Sequence, residues 1–217
     1  MVNAEPEPDP DPEPCEVEDD GNPETIECGP DGSPLVFAPN QGTFAFTSLR
    51  DGVHFDLDGD GYAEQTSWTA PNSGIAFLAR DVNGNGKIDS GLELFGNHTR
   101  VAHVDGLAGA AENGFEALRG LEIQVGSHFV DNHMATTDSM FSSLLLWVDD
   151  NHNGISEPYE LSSAASAGLV SIDLGYRDSP RKDRFGNQMR QISRSSWQTD
   201  QGLKNKAITD VWFVRER

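Results

Sequence analysis

Three short stretches of this chain share one pattern of oxygens and glycine. Asp56-Leu-Asp58-Gly-Asp60-Gly61, Asp81-Val-Asn83-Gly-Asn85-Gly86 and Asp149-Asp-Asn151-His-Asn153-Gly154 each carry a carboxylate or amide at the first, third and fifth positions and glycine at the sixth. Such a run suits neither a helix nor a packed strand, because its polar groups converge only if the chain curls around a common centre. A hard dication offers that centre: it takes about six to eight oxygens, and glycine permits the sharp bend. The seventh residue then gives its backbone carbonyl, so Tyr62, Lys87 and Ile155 are expected to contribute main chain rather than side chain.

This is the front half of an EF-hand loop, and the back halves differ. In the third loop Glu160 falls at the twelfth position, where a bidentate carboxylate closes the shell, and apolar spacing predicts a helix on either side. In the second, DVNGNGKIDSGLE, Asp89 holds the ninth position and Glu93 arrives one residue late. The extra residue is expected to be absorbed near Gly91, before a short helix over GLELFG. The first loop has Ser67 at the twelfth position, so Glu64 at the ninth, with water, must compensate. One Asp/Asn/Gly turn is often only a β-turn, but three in register within about a hundred residues are hard to explain as turns alone. All-oxygen donors, several of them neutral amides, favour Ca²⁺ over Zn²⁺ or Cu²⁺, and their number disfavours Mg²⁺. The candidate ligands are therefore Asp56, Asp58, Asp60, Tyr62 and Glu64; Asp81, Asn83, Asn85, Lys87, Asp89 and Glu93; and Asp149, Asn151, Asn153, Ile155 and Glu160, for two or three calcium ions.

Around these loops the expected class is α+β: β-hairpins about the calcium loops, one helix-loop-helix in the middle, and a C-terminal β-hairpin or sheet. Strands are expected over 42–48, 52–57, 63–69 and 74–79, where β-branched and aromatic residues lie between Gly-, Pro- and Asp-rich breaks. The spacing shifts to three and four over 113–121 and 138–147, and Pro158 and Gly168 bracket a third candidate helix. Strands return over 169–176, 184–193 and 207–214, with Gly186-Asn187 as a tight turn.

Charge narrows the partners. Fifteen Lys and Arg against 36 Asp and Glu give 15 − 36 = −21, which repels nucleic acid and anionic membranes and favours cations. No apolar run of about 18 residues exists to span a membrane. The start, MVNAEPEP, lacks a basic segment followed by an apolar stretch, so no signal peptide is visible; one was trimmed, or export takes another route. Residues 1–32 read as an acidic, proline-rich tether, because alternating acid and proline keeps a chain extended, and 33–217 as the folded domain. Cys15 and Cys28 form either a disulfide, under oxidising conditions, or two free thiols.

The runs GVHFDLDGDGYAEQTSW, FLARDVNGNGKIDSGLELFGNHT, NGFEAL, LLLWVDDNHNGISEPYEL, LVSIDLGY and DVWF together resemble the calcium-binding self-processing module of iron-regulated RTX proteins. The resemblance covers about Ser33 to Phe213 and implies a calcium-stabilised domain, secreted or at a bacterial cell surface. In processing relatives calcium triggers cleavage of an Asp-Pro bond at the start of the module, the Asp carboxylate attacking its own carbonyl. Here Ser33-Pro34 stands at that place, so self-cleavage is not expected. Relatives often carry a further loop after NGFEAL; Glu122, Gln124 and Gly126 make a poor copy of it.

Other readings stay open. Asp9-Pro10 and Asp11-Pro12 leave an autoprotease acting in the tail as an alternative, and an adhesive or glycan-binding module is another. His98 with His103, and His128 with His133, lack the flanking cysteines or HExxH helix of a zinc site, and His152 should face solvent. No GxSxG elbow or phosphate loop occurs. Trp68, Trp147, Trp197 and Trp212 read as core, and the basic 177–184 segment as a solvated hairpin. A monomer is expected, on its own or as part of a larger secreted assembly.

Overall fold

Two long strands paired along nearly their whole length form the spine on which the other elements are laid. The computed structural model describes residues 28–30, 32–38, 43–102, 108–124 and 132–216. In chain order the elements are β1 (Cys28–Pro30), β2 (Leu35–Phe37), β3 (Val53–Phe55), β4 (Glu64–Thr66), β5 (Ala76–Ala79), β6 (Arg100–Ala102), β7 (Ala108–Ala110), α1 (Gly114–Gln124), β8 (His133–Ala135), β9 (Leu145–Trp147), β10 (Leu161–Ser163), β11 (Leu169–Asp173), β12 (Arg177–Lys182), β13 (Gln188–Thr199), β14 (Gly202–Trp212) and β15 (Val214–Glu216). Single 3₁₀ turns lie at Gly91–Glu93 and Phe141–Ser143. The main sheet runs β10-β9-β5-β2-β14-β13-β11-β8, with β12 also on β13; a smaller sheet runs β1-β15-β4-β3, and β6 pairs with β7.

The protein is therefore mostly β, and the expected α+β class with a central helix-loop-helix is incorrect. Among the described residues α1 is the only α-helix, where 113–121 predicted one. The helix expected over 138–147 is instead a 3₁₀ turn followed by β9, and the one expected over 158–168 is a turn followed by β10. The third loop thus links two antiparallel strands, with Leu161 opposite Trp147.

The reason lies in the burial of the main sheet. Its central strands have both faces covered, so they need no polar side, and a short apolar run on such a strand looks like a buried helix segment. Leu35, Phe37, Leu78 and Leu146 point into one core together with Phe115, Leu118 and Leu121 of α1. Val36, Phe77, Ala79 and Trp147 point into a second core, with Val53 and Phe55 from β3, and with Trp68, Leu57 and Ile88. The candidate loops cluster over this second core. At its centre the Trp68 and Phe77 rings lie 4.5 Å apart, and Trp147 is 5.6 Å from both Trp68 and Phe55. Each such aromatic pair contributes about 0.5–1.5 kcal/mol beyond area burial.

Other expectations move at the edges. The strand expected over 42–48 reduces to a single bridge between Phe46 and Thr69. The Gly186 turn is present at φ 99°, and the basic segment beside it forms the exposed edge strand β12. Trp68, Trp147 and Trp197 are core residues, while the half-buried Trp212 ring is covered by the Arg190 guanidinium at 3.8 Å. The Cys15–Cys28 pairing, His103, His128 and the tail Asp-Pro bonds lie outside the described residues; of the expected degraded loop, Glu122 and Gln124 are part of α1 rather than a loop, and Gly126 lies outside the described residues.

Asp210 of β14 joins the layers. Its fully buried carboxylate accepts the Gly114 N–H at 2.9 Å and the Trp212 indole N–H at 2.9 Å. Asn113 caps the same helix by accepting the Phe115 and Glu116 amides at 2.9 and 3.1 Å. A Cβ on Gly114 would fall 2.4 Å from both Leu35 and the Phe95 carbonyl, so only glycine lets α1 approach this closely. Burial pushes the Asp210 pKa up to about 7, despite its donors and the nearby Arg190 charge. A folded-state pKa above the unfolded 3.8 means that protonation favours the folded state, so this stabilisation is full below about pH 4 and lost as pH rises to about 7. Asp210→Asn removes that dependence. Urea titrations should show wild-type stability falling relative to D210N across this window, by up to about 1.4 kcal/mol per pH unit.

Candidate metal centre

Each loop curls because its first aspartate gathers the backbone amides that follow. Asp56 accepts from Gly59, Asp60 and Gly61 at 2.7, 3.1 and 3.0 Å. Asp81 repeats this with Gly84, Asn85 and Gly86 at 2.7, 3.2 and 2.9 Å. Asp149 accepts from Asn153 and Gly154 at 3.1 and 2.9 Å. The fifth residue then accepts the amide of the seventh: Asp60 from Tyr62, Asn85 from Lys87 and Asn153 from Ile155, at 2.7–2.8 Å. The curl needs left-handed backbone at the fourth and sixth positions. Gly59, Gly61, Gly84, Gly86 and Gly154 supply it, and so does His152 at φ 58°. His152 does not simply face solvent: its Nε2 lies 2.8 Å from the Asp51 carbonyl.

The second and third loops close alike despite their different lengths. Glu93 accepts from Val82 and Asn83 with one oxygen, at 2.9 and 3.4 Å, and from Asp89 with the other at 3.0 Å. Glu160 accepts from Asp150 and Asn151 at 2.9 and 3.4 Å, and from Glu157 at 3.3 Å. The two glutamates thus hold the same three ring positions, and the 3₁₀ turn at Gly91–Glu93 takes up the additional residue. Both carboxylates are buried, and burial pushes both pKa values up against the backbone donors. In both loops the fifth-position amide also donates to the ninth-position carboxylate: Asn85 to Asp89 at 2.7 Å and Asn153 to Glu157 at 2.9 Å. Asn151 turns its amide nitrogen to the Tyr159 hydroxyl at 2.9 Å.

The first loop is built differently. Oxygens of Asp56, Asp58 and Asp60 lie within 4.8 Å of one another. Ser67 does not close the ring, because its hydroxyl bonds Asn187 and accepts the Val214 amide at 3.0 Å. Glu64 is instead within 3.4 Å of the Arg215 guanidinium, which also lies 2.8 Å from Asp58. Burial raises Asp58, but the hydrogen bond and charge of Arg215 outweigh it and hold the carboxyl below its usual range; burial pushes Glu64 up.

The three loops form one cluster. The Ser156 hydroxyl receives the Ile88 amide at 2.7 Å and donates to the Ile88 carbonyl at 3.0 Å, joining the eighth residues of the second and third loops. Gly91 donates to the Asp56 carbonyl at 2.7 Å, joining the second loop to the first. A cleft of about 360 Å³ lies between them, lined by Asp56, Gly61, Lys87, Asp89, Gly154 and Ile155 among others. The loops also tie into the aromatic core: Trp68 donates its indole N–H to Asp149 at 2.8 Å, and Trp147 to Glu160 at 3.2 Å. Ser156, Arg215 and these two indoles escaped sequence reasoning. Only the serine has a local signal, its place two residues after Gly154.

The donor set fits a hard dication: carboxylate, amide and carbonyl oxygens, with no thiol or imidazole among the candidates. The model of the SPM domain matches residues 35–214. The chain belongs to the SPM domain family. Over 140 residues this SPM domain is 37% identical to iron-regulated protein FrpA of Neisseria meningitidis serogroup C, an alignment covering 64% of this chain and 12% of that relative. No helix among the described residues is long and apolar enough to cross a membrane.

Removing the bridge between the second and third loops leaves a buried Ile88 amide without its acceptor. Ser156→Ala should therefore destabilise the SPM domain by about 1–3 kcal/mol, read as a lower urea midpoint at unchanged m-value.

Proposed function

We propose that this SPM domain is a calcium-binding module, secreted or displayed at a bacterial surface, in which two or three ions set the loops and stabilise the fold without cutting the chain. The observation that carries the reading is the shared ring of the second and third loops. In each, the first-position aspartate accepts the amides of the fifth and sixth residues, and the closing glutamate accepts those of the second, third and ninth. Asp81, Asn83, Asn85, Lys87, Asp89 and Glu93 would hold one ion, and Asp149, Asn151, Asn153, Ile155 and Glu160 another. Asp56, Asp58, Asp60, Tyr62 and Glu64 are the candidates for a third. A bound dication would supply the positive charge that the carboxylates of the second and third loops lack and that Arg215 supplies only in part to the first. Without it, like-charge repulsion opposes closure of each ring.

The fold extends the effect beyond the loops. Trp68 and Trp147 link Asp149 and Glu160 to the centre of the second core, so ordering the third loop also orders the packing beneath it. At free calcium a hundredfold above its dissociation constant, one site adds about 2.7 kcal/mol, a large part of a domain's net stability. Low calcium inside a cell would leave the chain loose for export, and external calcium would set it. The tail would then act as a spacer from a larger assembly or the cell envelope.

Self-cleavage is absent from this reading because the residue before Pro34 has no carboxylate. Ser33 is buried; its amide donates to Asn97 at 2.7 Å and its hydroxyl accepts the Asn97 amide at 3.2 Å. On SDS gels the chain should stay intact in millimolar calcium. A new amino terminus at Pro10 or Pro12 would establish the tail autoprotease instead.

Calorimetric titration should show at least two calcium equivalents, with one lost in Asp81→Ala and another in Asp149→Ala. The melting temperature should drop on adding EGTA; an unchanged value would falsify the stabilising role. Because burial raises Glu93 and Glu160, protons compete with the ion at these carboxylates, and apparent affinity should fall as pH is lowered from 7 towards 5.

A further inference from the structure

We infer that Arg215 is the built-in counter-cation of the first loop and that it makes this loop the weakest of the three calcium sites. The inference rests on the calcium reading above and adds a residue that decides how the sites rank.

The argument begins with a missing donor. In the second and third loops the fifth residue is asparagine, whose amide N–H holds the ninth-position carboxylate. In the first loop the fifth residue is Asp60, which as a carboxylate can only accept. Two acids, Asp58 and Glu64, then face the ring with no amide between them, and Ser67 is engaged in the sheet. Arg215 supplies what is missing. It lies on β15 opposite Thr66 of β4, so its side chain shares a face with Glu64 two residues away. The Arg215 side chain is only 8% exposed and places Nη2 at 2.8 Å from Asp58 and Nη1 at 3.4 Å from Glu64.

Charge bookkeeping points the same way. Asp56, Asp58, Asp60 and Glu64 carry −4, and Arg215 brings the first loop to −4 + 1 = −3. The acids at the corresponding positions, Asp81, Asp89 and Glu93 in one loop and Asp149, Glu157 and Glu160 in the other, give −3 each, leaving aside Lys87 and Asp150 of the same loops. The cation thus offsets the extra acid while occupying two of the oxygens an ion would need. To enter, a dication must draw Asp58 and Glu64 away from a buried guanidinium, and a buried charge deprived of its partners is costly. Among the described residues, no Lys or Arg pairs with the acids of the second and third rings.

The test is calcium titration by calorimetry on the full chain and on Arg215→Gln. Wild type should show two equivalents, with a third at least tenfold weaker; in R215Q the third should tighten at least tenfold. Adding Asp56→Asn to R215Q should abolish that third equivalent and assign it to the first loop. Arg215→Lys keeps the charge but lacks the fork that reaches both acids, so it should tighten the third site less than R215Q does. It also decides the question if R215Q does not fold. Three equal equivalents in wild type, or a third site no tighter in either variant, overturns the role of Arg215 and leaves the calcium reading standing. No calcium uptake by wild type overturns the calcium reading itself.

Discussion

The structure depends on a carboxylate surrounded by its own backbone. In each loop one aspartate accepts amide hydrogens from residues three to five positions ahead, which bends the chain into a ring. An aspartate used this way satisfies the orphan amides of a tight curl, and glycine at the sixth position removes the steric penalty of left-handed backbone. The sheet strands and aromatic core then serve to hold three such rings against one another. Strands do here what flanking helices do in an EF-hand: β9 and β10 clamp the third ring from both ends, and β5 leads into the second.

The legible parts of the sequence were those whose residues act locally. The rings follow from side chains bonding amides a few residues away, and so does the helix over 113–121, with its Asn113 cap. The late Glu93 could be anticipated because one 3₁₀ turn absorbs one residue. The failures have a common origin in burial on two faces. Leu145, Leu146 and Trp147 have helix-like spacing, but they lie in a sheet whose other side is also covered, and sequence does not show what covers it. Residues 161–163 are strand because β9 offers them an edge, which no local propensity records.

Long-range polar partners were equally hidden. Arg215 meets Asp58 and Glu64 about 150 positions away in the chain, and Asp210 meets the start of α1 across 96. Each pairing exists because antiparallel neighbours bring chain ends back to the loops: β15 lies beside β4, and β2, just after Ser33, lies between β14 and β5. The two ends of the described chain therefore frame the site, with β1 paired to β15. Membership of the SPM domain family and the local rings are thus read from different parts of the physics, one from the whole pattern and the other from hydrogen bonds within a dozen residues.

The two indole N–H bonds to Asp149 and Glu160 have an optical consequence. Trp68 and Trp147 are fully enclosed fluorophores, each with its polar edge against a carboxylate of the third loop. Any change in the charge held by those carboxylates alters the electric field along the indole and shifts its emission. The chain therefore carries an intrinsic gauge of the charge on its third loop, without an added dye.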